Sequence, residues 1–400
     1  MGISKTWRRP NILELTRMMF VAELIGLLFS TSLAVMVEIL IYLSFIGTRS
    51  LRLRARYAIK QPMAFMSLIW AGFLIIAALY GIESPKEIIA DLSSWRKIFL
   101  LPLAAAIFDD DKWKLRFVRI FLGIVTLSAL LSLISIYNGE KLYKFPPGIL
   151  IMNHATQGMM FSVGAFSSAL FLYLGRNIRT PESWFLLFSV LLLSLNLIFI
   201  TPGRSGYLAF GVLCLALPLY LARPRYRFAA VGAVLLLIAI AFYISPVAKN
   251  RIMQGILEIE NYKKDKVLTS LGTRMVVWHQ TLRAIQERPF WGAGTGGFVA
   301  AYRLQEPKYQ GWQGSVFQDP HNQFLRILAE QGLIGLILFS MLIYAFFIQD
   351  VSGWPKVLAT GVVIAWCATS LFSSHFSTFT EGRFIYLWCG VLLSPVQHEK

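Results

Sequence analysis

Three short stretches carry side chains that could act on a charged substrate. In Thr201-Pro202-Gly203-Arg204-Ser205-Gly206, an arginine sits in a tight Pro/Gly turn between two apolar runs. A charge so near hydrocarbon is expensive and usually has a partner. Arg204 reads either as an arginine snorkelling to the interface or as an anion ligand. Its planar fork suits a phosphate better than a lysine's point charge does. In Gly272-Thr273-Arg274-Met275-Val276-Val277-Trp278, Arg274 falls in the first turn of a predicted helix. The helix dipole disfavours a cation there. Arg274 and Trp278 are four apart and share a face. A surface arginine on an amphipathic helix and a cation–indole cradle for a sugar phosphate both fit that spacing. In Asp319-Pro320-His321-Asn322, Asp319 makes a good N-cap and Pro320 a good first helical residue. His321 is then expected in the first turn of a helix that runs on into an apolar stretch. The positive helix end keeps its imidazole neutral and able to accept a proton near pH 7, whereas a nearby phosphate would act the other way. A polar interfacial histidine is the alternative.

Other candidates carry less. His279 lies on a different helix face from Trp278, and His154 and His375 read as polar loop residues. Asp109-Asp110-Asp111 reads as a charged cytoplasmic loop. Cys214, Cys367 and Cys389 are odd in number, lie in apolar runs and have no metal-type spacing, so they read as small core residues. Gly292-Ala293-Gly294-Thr295-Gly296-Gly297 matches a nucleotide-binding glycine pattern, but no strand–helix unit surrounds it. The chain contains neither a Gly-x-x-x-x-Gly-Lys-Ser/Thr phosphate loop nor a His-Glu-x-x-His zinc motif. No metal and no cofactor is expected.

The elements that must position these residues are set by composition. Of 400 residues, 56% are hydrophobic and only 15% charged, against about 25% charged in soluble domains. That excludes a disordered chain, a coiled coil and most soluble enzymes. The reading is an all-α polytopic membrane protein with about twelve transmembrane helices. The expected runs go from residues 16–29 and 32–46 to 357–372 and 384–393. Several, such as 98–108, are shorter than the roughly 17 residues that span comfortably. The net charge of +17 is read as basic cytoplasmic loops and affinity for anionic ligands at a membrane face, with no nucleic-acid partner. Basic residues gather at Lys5, Arg8, Arg9 and Arg17, then at Arg49–Lys60, Lys112–Arg116 and Arg223–Arg227, which places both termini inside. Three regions result: residues 1–244 with about nine spans, a large outer loop at 245–331, and residues 332–400 with about three spans. A loop that long is usually functional. It is expected to hold helices at 246–260 and 273–287, the second stopped by Pro289.

Three motifs together resemble the O-antigen ligase family of Gram-negative bacteria, with its relatives the O-antigen polymerases and O-linking oligosaccharyltransferases. They are His321-Asn322-Gln323-Phe324-Leu325-x-x-Leu328-Ala329-Glu330-x-Gly332; Gly272-x-Arg274 with Trp278, followed by Arg288-Pro289-Phe290-Trp291-Gly292-x-Gly294; and Arg204-Ser205-Gly206. The resemblance implies a GT-C-like membrane fold in the inner membrane. It also implies a metal-independent, inverting transfer on the periplasmic face. The donor would be a glycan on undecaprenyl pyrophosphate, the acceptor a sugar hydroxyl of lipid A–core, and membrane lipids would surround both. Carried over by motif, Arg204 and Arg274 would bind the pyrophosphate and His321 would activate the acceptor. Trp278, Asn322 and Arg288 would support them. A non-catalytic flippase would instead put its polar residues through the spans.

Overall fold

The computed structural model describes residues 11–141, 145–175, 179–265, 269–305 and 315–396, and every regular element within them is helical. Lys5, Arg8 and Arg9 lie outside the described residues. Helix α1 (Ile12–Phe29) ends and α2 (Thr31–Gly47) begins at one residue, Ser30. Its extended backbone (φ −149°) stops α1, and its hydroxyl accepts the Leu33 N–H at 3.3 Å to cap α2. A 99° bend leads into the arginine-rich α3 (Arg49–Ala58). Then come α4 (Pro62–Leu79), α5 (Pro85–Trp95), a 3₁₀ turn (Arg96–Phe99) and α6 (Leu100–Ala105). The central helices are α7 (Asp111–Asn138), α8 (His154–Gly175), α9 (Pro181–Phe199), α10 (Arg204–Leu221) and α11 (Arg227–Ile244). Proline at the first turn starts α4, α5 and α9, where its missing N–H costs nothing. The late segment forms α12 (Pro246–Asp265), α13 (Ser270–Glu287) and the short α14 (Phe298–Arg303). The chain closes with α15 (Gln323–Ile348), α16 (Gly353–Thr369) and α17 (Phe379–Leu392).

Seven helices among the described residues are long and apolar enough to cross a membrane, or eight if the bent α2–α3 pair counts as one span. The protein is therefore polytopic, with seven or eight helices of that length and composition where twelve apolar runs were expected. The run 98–108 breaks into the 3₁₀ turn and a six-residue helix, α6. Six residues cover about 9 Å of a hydrocarbon core about 30 Å thick. Helix α17 has 14 residues, nearly all buried, and α1 carries Glu14, Arg17 and Glu23. Protein covers α6 and α17, and Arg17 and Arg383 pair their charges inside the bundle. Arg17 donates to the Ile107 carbonyl and to Asp109, both at 2.7 Å. Arg383 of α17 holds Glu38 of α2 through Nε (3.0 Å) and a terminal nitrogen (2.8 Å). Asp109 also takes Arg54 at 2.5 Å, so the aspartate run is a structural anchor as well as a charged loop.

Helix α8 packs on both α9 and α10, α10 also meets α16, α4 lies on α15, and α6 lies on α17. Phe384 stacks between Trp366 and Trp388, with ring centroids 5.5 and 5.2 Å away. The start of α10 is set by glycine. A Cβ on Gly206 would meet the Gly158 Cα of α8 at 2.7 Å, so only a bare backbone lets the two helices approach there. Helix α15 is broken at Gly332 (φ 64°, ψ −165°). The loop after α13 docks into that break. Leu333 N–H donates to the Pro289 carbonyl (2.8 Å), and Ala293 and Gly294 N–H donate to the Ala329 and Glu330 carbonyls (2.9 and 2.7 Å). A Cβ on Gly332 would run into the Phe290 carbonyl.

Candidate active site

Arg204 is the first residue of α10. Its guanidinium donates two hydrogen bonds, at 2.9 and 3.4 Å, to the two oxygens of Glu258 on α12. The same carboxylate accepts the Leu271 N–H (3.1 Å) from the first turn of α13. An arginine fork and a free amide at a helix N-terminus together form an anion site, and Glu258 occupies it. Burial pushes the Glu258 carboxyl up, but the hydrogen bonds from Arg204 and Leu271 outweigh it and hold it below the usual carboxylate range. Helix α13 begins here because Thr269 caps it, accepting the Gly272 N–H at 3.0 Å.

Arg274 sits one turn further along α13, where Arg204 and Glu258 both act on its charge. Burial and the neighbouring Arg204 lower its pKa, yet a guanidinium remains a cation. Its Nε is buried with no hydrogen-bond partner. Such an atom is costly to leave unmade, so its geometry suits a ligand oxygen. Trp278, one turn on, donates its indole N–H to the Pro320 carbonyl (2.8 Å) and lies 6.2 Å from the Phe372 ring. That bond ties the arginine-bearing face of α13 to the segment carrying His321.

His321 is not in the first turn of α15, as expected from Asp319 and Pro320. Asn322 is the N-cap, its side chain accepting the N–H groups of Phe324 (3.0 Å) and Leu325 (3.1 Å). Asn caps as well as Asp, and the left-handed backbone of His321 (φ 51°) cannot continue a helix. Asp319 instead accepts the His321 N–H (2.6 Å) and the Ser374 hydroxyl (2.9 Å) on one oxygen, and Arg326 (3.2 Å) on the other. Arg326 also binds Asp91 at 2.6 Å. His321 is thus fixed at its backbone while its side chain, 49% exposed, stays open to a substrate. A non-glycine residue at positive φ costs about 1–3 kcal/mol and is often found at functional sites.

His375, read from sequence as a bland loop histidine, lies buried in the turn between α16 and α17 with both ring nitrogens unpartnered. Burial lowers its pKa and Arg274 adds to that, opposed by Glu381 and Asp319. Arg288 is separated from the site. It closes the other end of α13, 14 residues from Arg274 and so about 21 Å along the axis. Its side chain does not join the two arginines. Sequence reasoning missed Glu258, which is one of several acids on an amphipathic helix and carries no signal of its own. Among the described residues no group of three or more His, Cys, Asp or Glu side chains could hold a metal ion.

Residues 188–340 match the family model described as Wzy_C, O-antigen ligase. That stretch contains Arg204, Glu258, Arg274, Trp278, Arg288, His321 and Asn322. The fold is that of a polytopic, all-α membrane protein, and residues 188–340 of it are similar to the O-antigen ligase family. Among curated proteins, the chain is 38% identical over 94 residues to the exopolysaccharide production protein ExoQ of Rhizobium meliloti, covering 22% of this chain and 20% of that protein. It is 33% identical over 82 residues to an uncharacterised protein of Haemophilus influenzae, covering 20% of this chain and 21% of that one. The matches thus span about a fifth of each relative.

Proposed function

We propose that this protein transfers O-antigen polysaccharide from undecaprenyl pyrophosphate to a sugar hydroxyl of lipid A–core, at the periplasmic face of the bacterial inner membrane. The observation that carries this reading is the anion position made by Arg204 and the Leu271 amide, with Arg274 beside it and a carboxylate now in it. A donor phosphate would replace Glu258 there. As the glycosidic bond breaks, its electron pair leaves with the pyrophosphate, and two fixed guanidiniums stabilise the growing charge without a metal. The acceptor oxygen bonds to the anomeric carbon from the opposite side, which inverts it, and its proton passes to the His321 imidazole. A sugar hydroxyl is a very weak acid, so the proton leaves as the bond forms. The Trp278–Pro320 hydrogen bond keeps base and phosphate site in one frame.

The match to ExoQ, an exopolysaccharide production protein, favours a second reading. Here a polymerase uses the same donor and residues but takes another lipid-linked glycan as acceptor. One assay separates them. The purified protein is given lipid-linked glycan with and without rough lipopolysaccharide. Glycosylated lipopolysaccharide supports the ligase, longer lipid-linked chains in either arm support the polymerase, and neither product contradicts both.

A further inference from the structure

The motif Arg288-Pro289-Phe290-Trp291-Gly292 plays no part in the phosphate site, yet it is built with care. Its loop is stapled to the break in α15 and also to the end of α4. Thr295 donates its hydroxyl to the Leu74 carbonyl (2.7 Å), and Ile82 N–H donates to the Ala293 carbonyl (3.0 Å). Gly292 lies flat on the Glu330 carbonyl, where a Cβ would come within 2.5 Å. On this rigid base Phe290 and Trp291 stay largely exposed, at 61% and 55%. Tyr80 of α4 stands against them, its hydroxyl on the Trp291 carbonyl (2.8 Å) and its ring 6.0 Å from the indole. With Arg288, Pro289 and Gly292 they line an open cup of about 590 Å³. Arg288 is exposed and makes no ion pair among the described residues. The neighbouring Leu79, 84% exposed, ends α4, a helix long and apolar enough to cross a membrane.

We propose that this cup binds the lipid-proximal saccharide of an anionic, membrane-anchored glycolipid, the acceptor of the transfer. The inference rests on the ligase reading above. Aromatic side chains that only anchor a protein at the membrane interface need no concavity and no cation between them. Here three rings wall a hollow beside a free guanidinium. That arrangement suits the apolar face of a sugar ring together with a phosphate or carboxylate. The position at the exposed end of the apolar α4 suits an occupant that arrives from the bilayer. The spacing also fits, because Arg288 is about 21 Å from Arg274 along α13. An acceptor whose reacting hydroxyl lies several sugars from its lipid must be held at two points separated in this way.

The test is the binding of fluorescently labelled rough lipopolysaccharide to the full chain in phosphatidylcholine nanodiscs. Arg288→Gln and Trp291→Ala should each weaken binding roughly tenfold, the scale of one interface anchor. Arg288→Lys should retain much of the affinity, because an exposed ammonium still pairs with an anion. Binding of undecaprenyl-pyrophosphate-linked glycan should not change in any of the three. Arg288 is a surface residue, so its variants keep the test open if Trp291→Ala fails to fold. Unchanged lipopolysaccharide binding in Arg288→Gln, with wild-type binding intact, overturns the cup and leaves the ligase reading standing. Absence of binding by the wild type overturns both.

Discussion

Arg204 and Glu258 hold each other, and that pairing makes specific demands on variants. Arg204→Ala or Arg274→Ala should each lose roughly 10²–10³ in transfer rate, the scale of removing one preorganised charge-stabilising donor. Lysine should rescue poorly, since it cannot give a forked contact. Near wild-type turnover in Arg204→Lys would contradict the fork. Glu258→Gln removes the anion that competes with donor phosphate, so KM for the donor should fall while activity survives. A raised KM would show that Glu258 belongs to the working site. The contact is also pH-dependent. Because the folded Glu258 carboxyl lies below its ordinary value, the stabilisation is fully present above the unfolded pKa of about 4.3. It is lost as pH falls through the folded value. Donor affinity of the wild type should therefore approach that of Glu258→Gln only in acid. His321→Ala should lose roughly 10²–10⁴ in turnover while donor still binds. Glutamine keeps a hydrogen bond but takes no proton, and wild-type rates in His321→Gln would reduce His321 to a positioning role. The two arginines and the histidine could be singled out as candidates because each is a charged or titratable group beside apolar sequence, while their roles came from the family resemblance. Glu258 and His375 were not. Their meaning lies in contacts to Arg204 and in burial near Arg274, which chain spacing does not encode.

At the scale of elements, α13 links the two ends of the proposed functional surface. Its first turns carry Leu271, Arg274 and Trp278, and its last residue leads into the loop locked on α15. The break at Gly332 is what admits that loop. Gly332→Ala should destabilise the protein by about 1–3 kcal/mol from its positive φ alone, with the carbonyl clash adding to it. Thermal unfolding in detergent would measure this, and an unchanged Tm would contradict the lock. The helices at 246–260 and 273–287 were readable from periodicity and from Pro289, and they form as α12 and α13. The first turn of α15 was misread because Asp319 and Asn322 are equally good caps, and only the backbone of His321 decides between them. Two of the expected runs, at 98–108 and 384–393, do not form helices of membrane-spanning length, for another physical reason. Hydropathy reports burial in protein and burial in lipid alike, and α6 and α17 are covered by the bundle itself.

For the whole molecule, the account requires the late helical segment and both arginines on one side of the membrane. With Cys214, Cys367 and Cys389 replaced, Leu304→Cys should react with an impermeant thiol reagent added from outside, and Arg225→Cys should not. The reverse pattern would invert the layout. The central claim is that transfer runs on a pyrophosphate held by Arg204 and Arg274. Its most direct measurement is the release of undecaprenyl pyrophosphate per glycan transferred by the purified protein in nanodiscs, for the wild type and for Arg204→Ala/Arg274→Ala. The account predicts one carrier released per glycan in the wild type and neither event in the double variant. Transfer that persists in the double variant, or proceeds without carrier release, would contradict it.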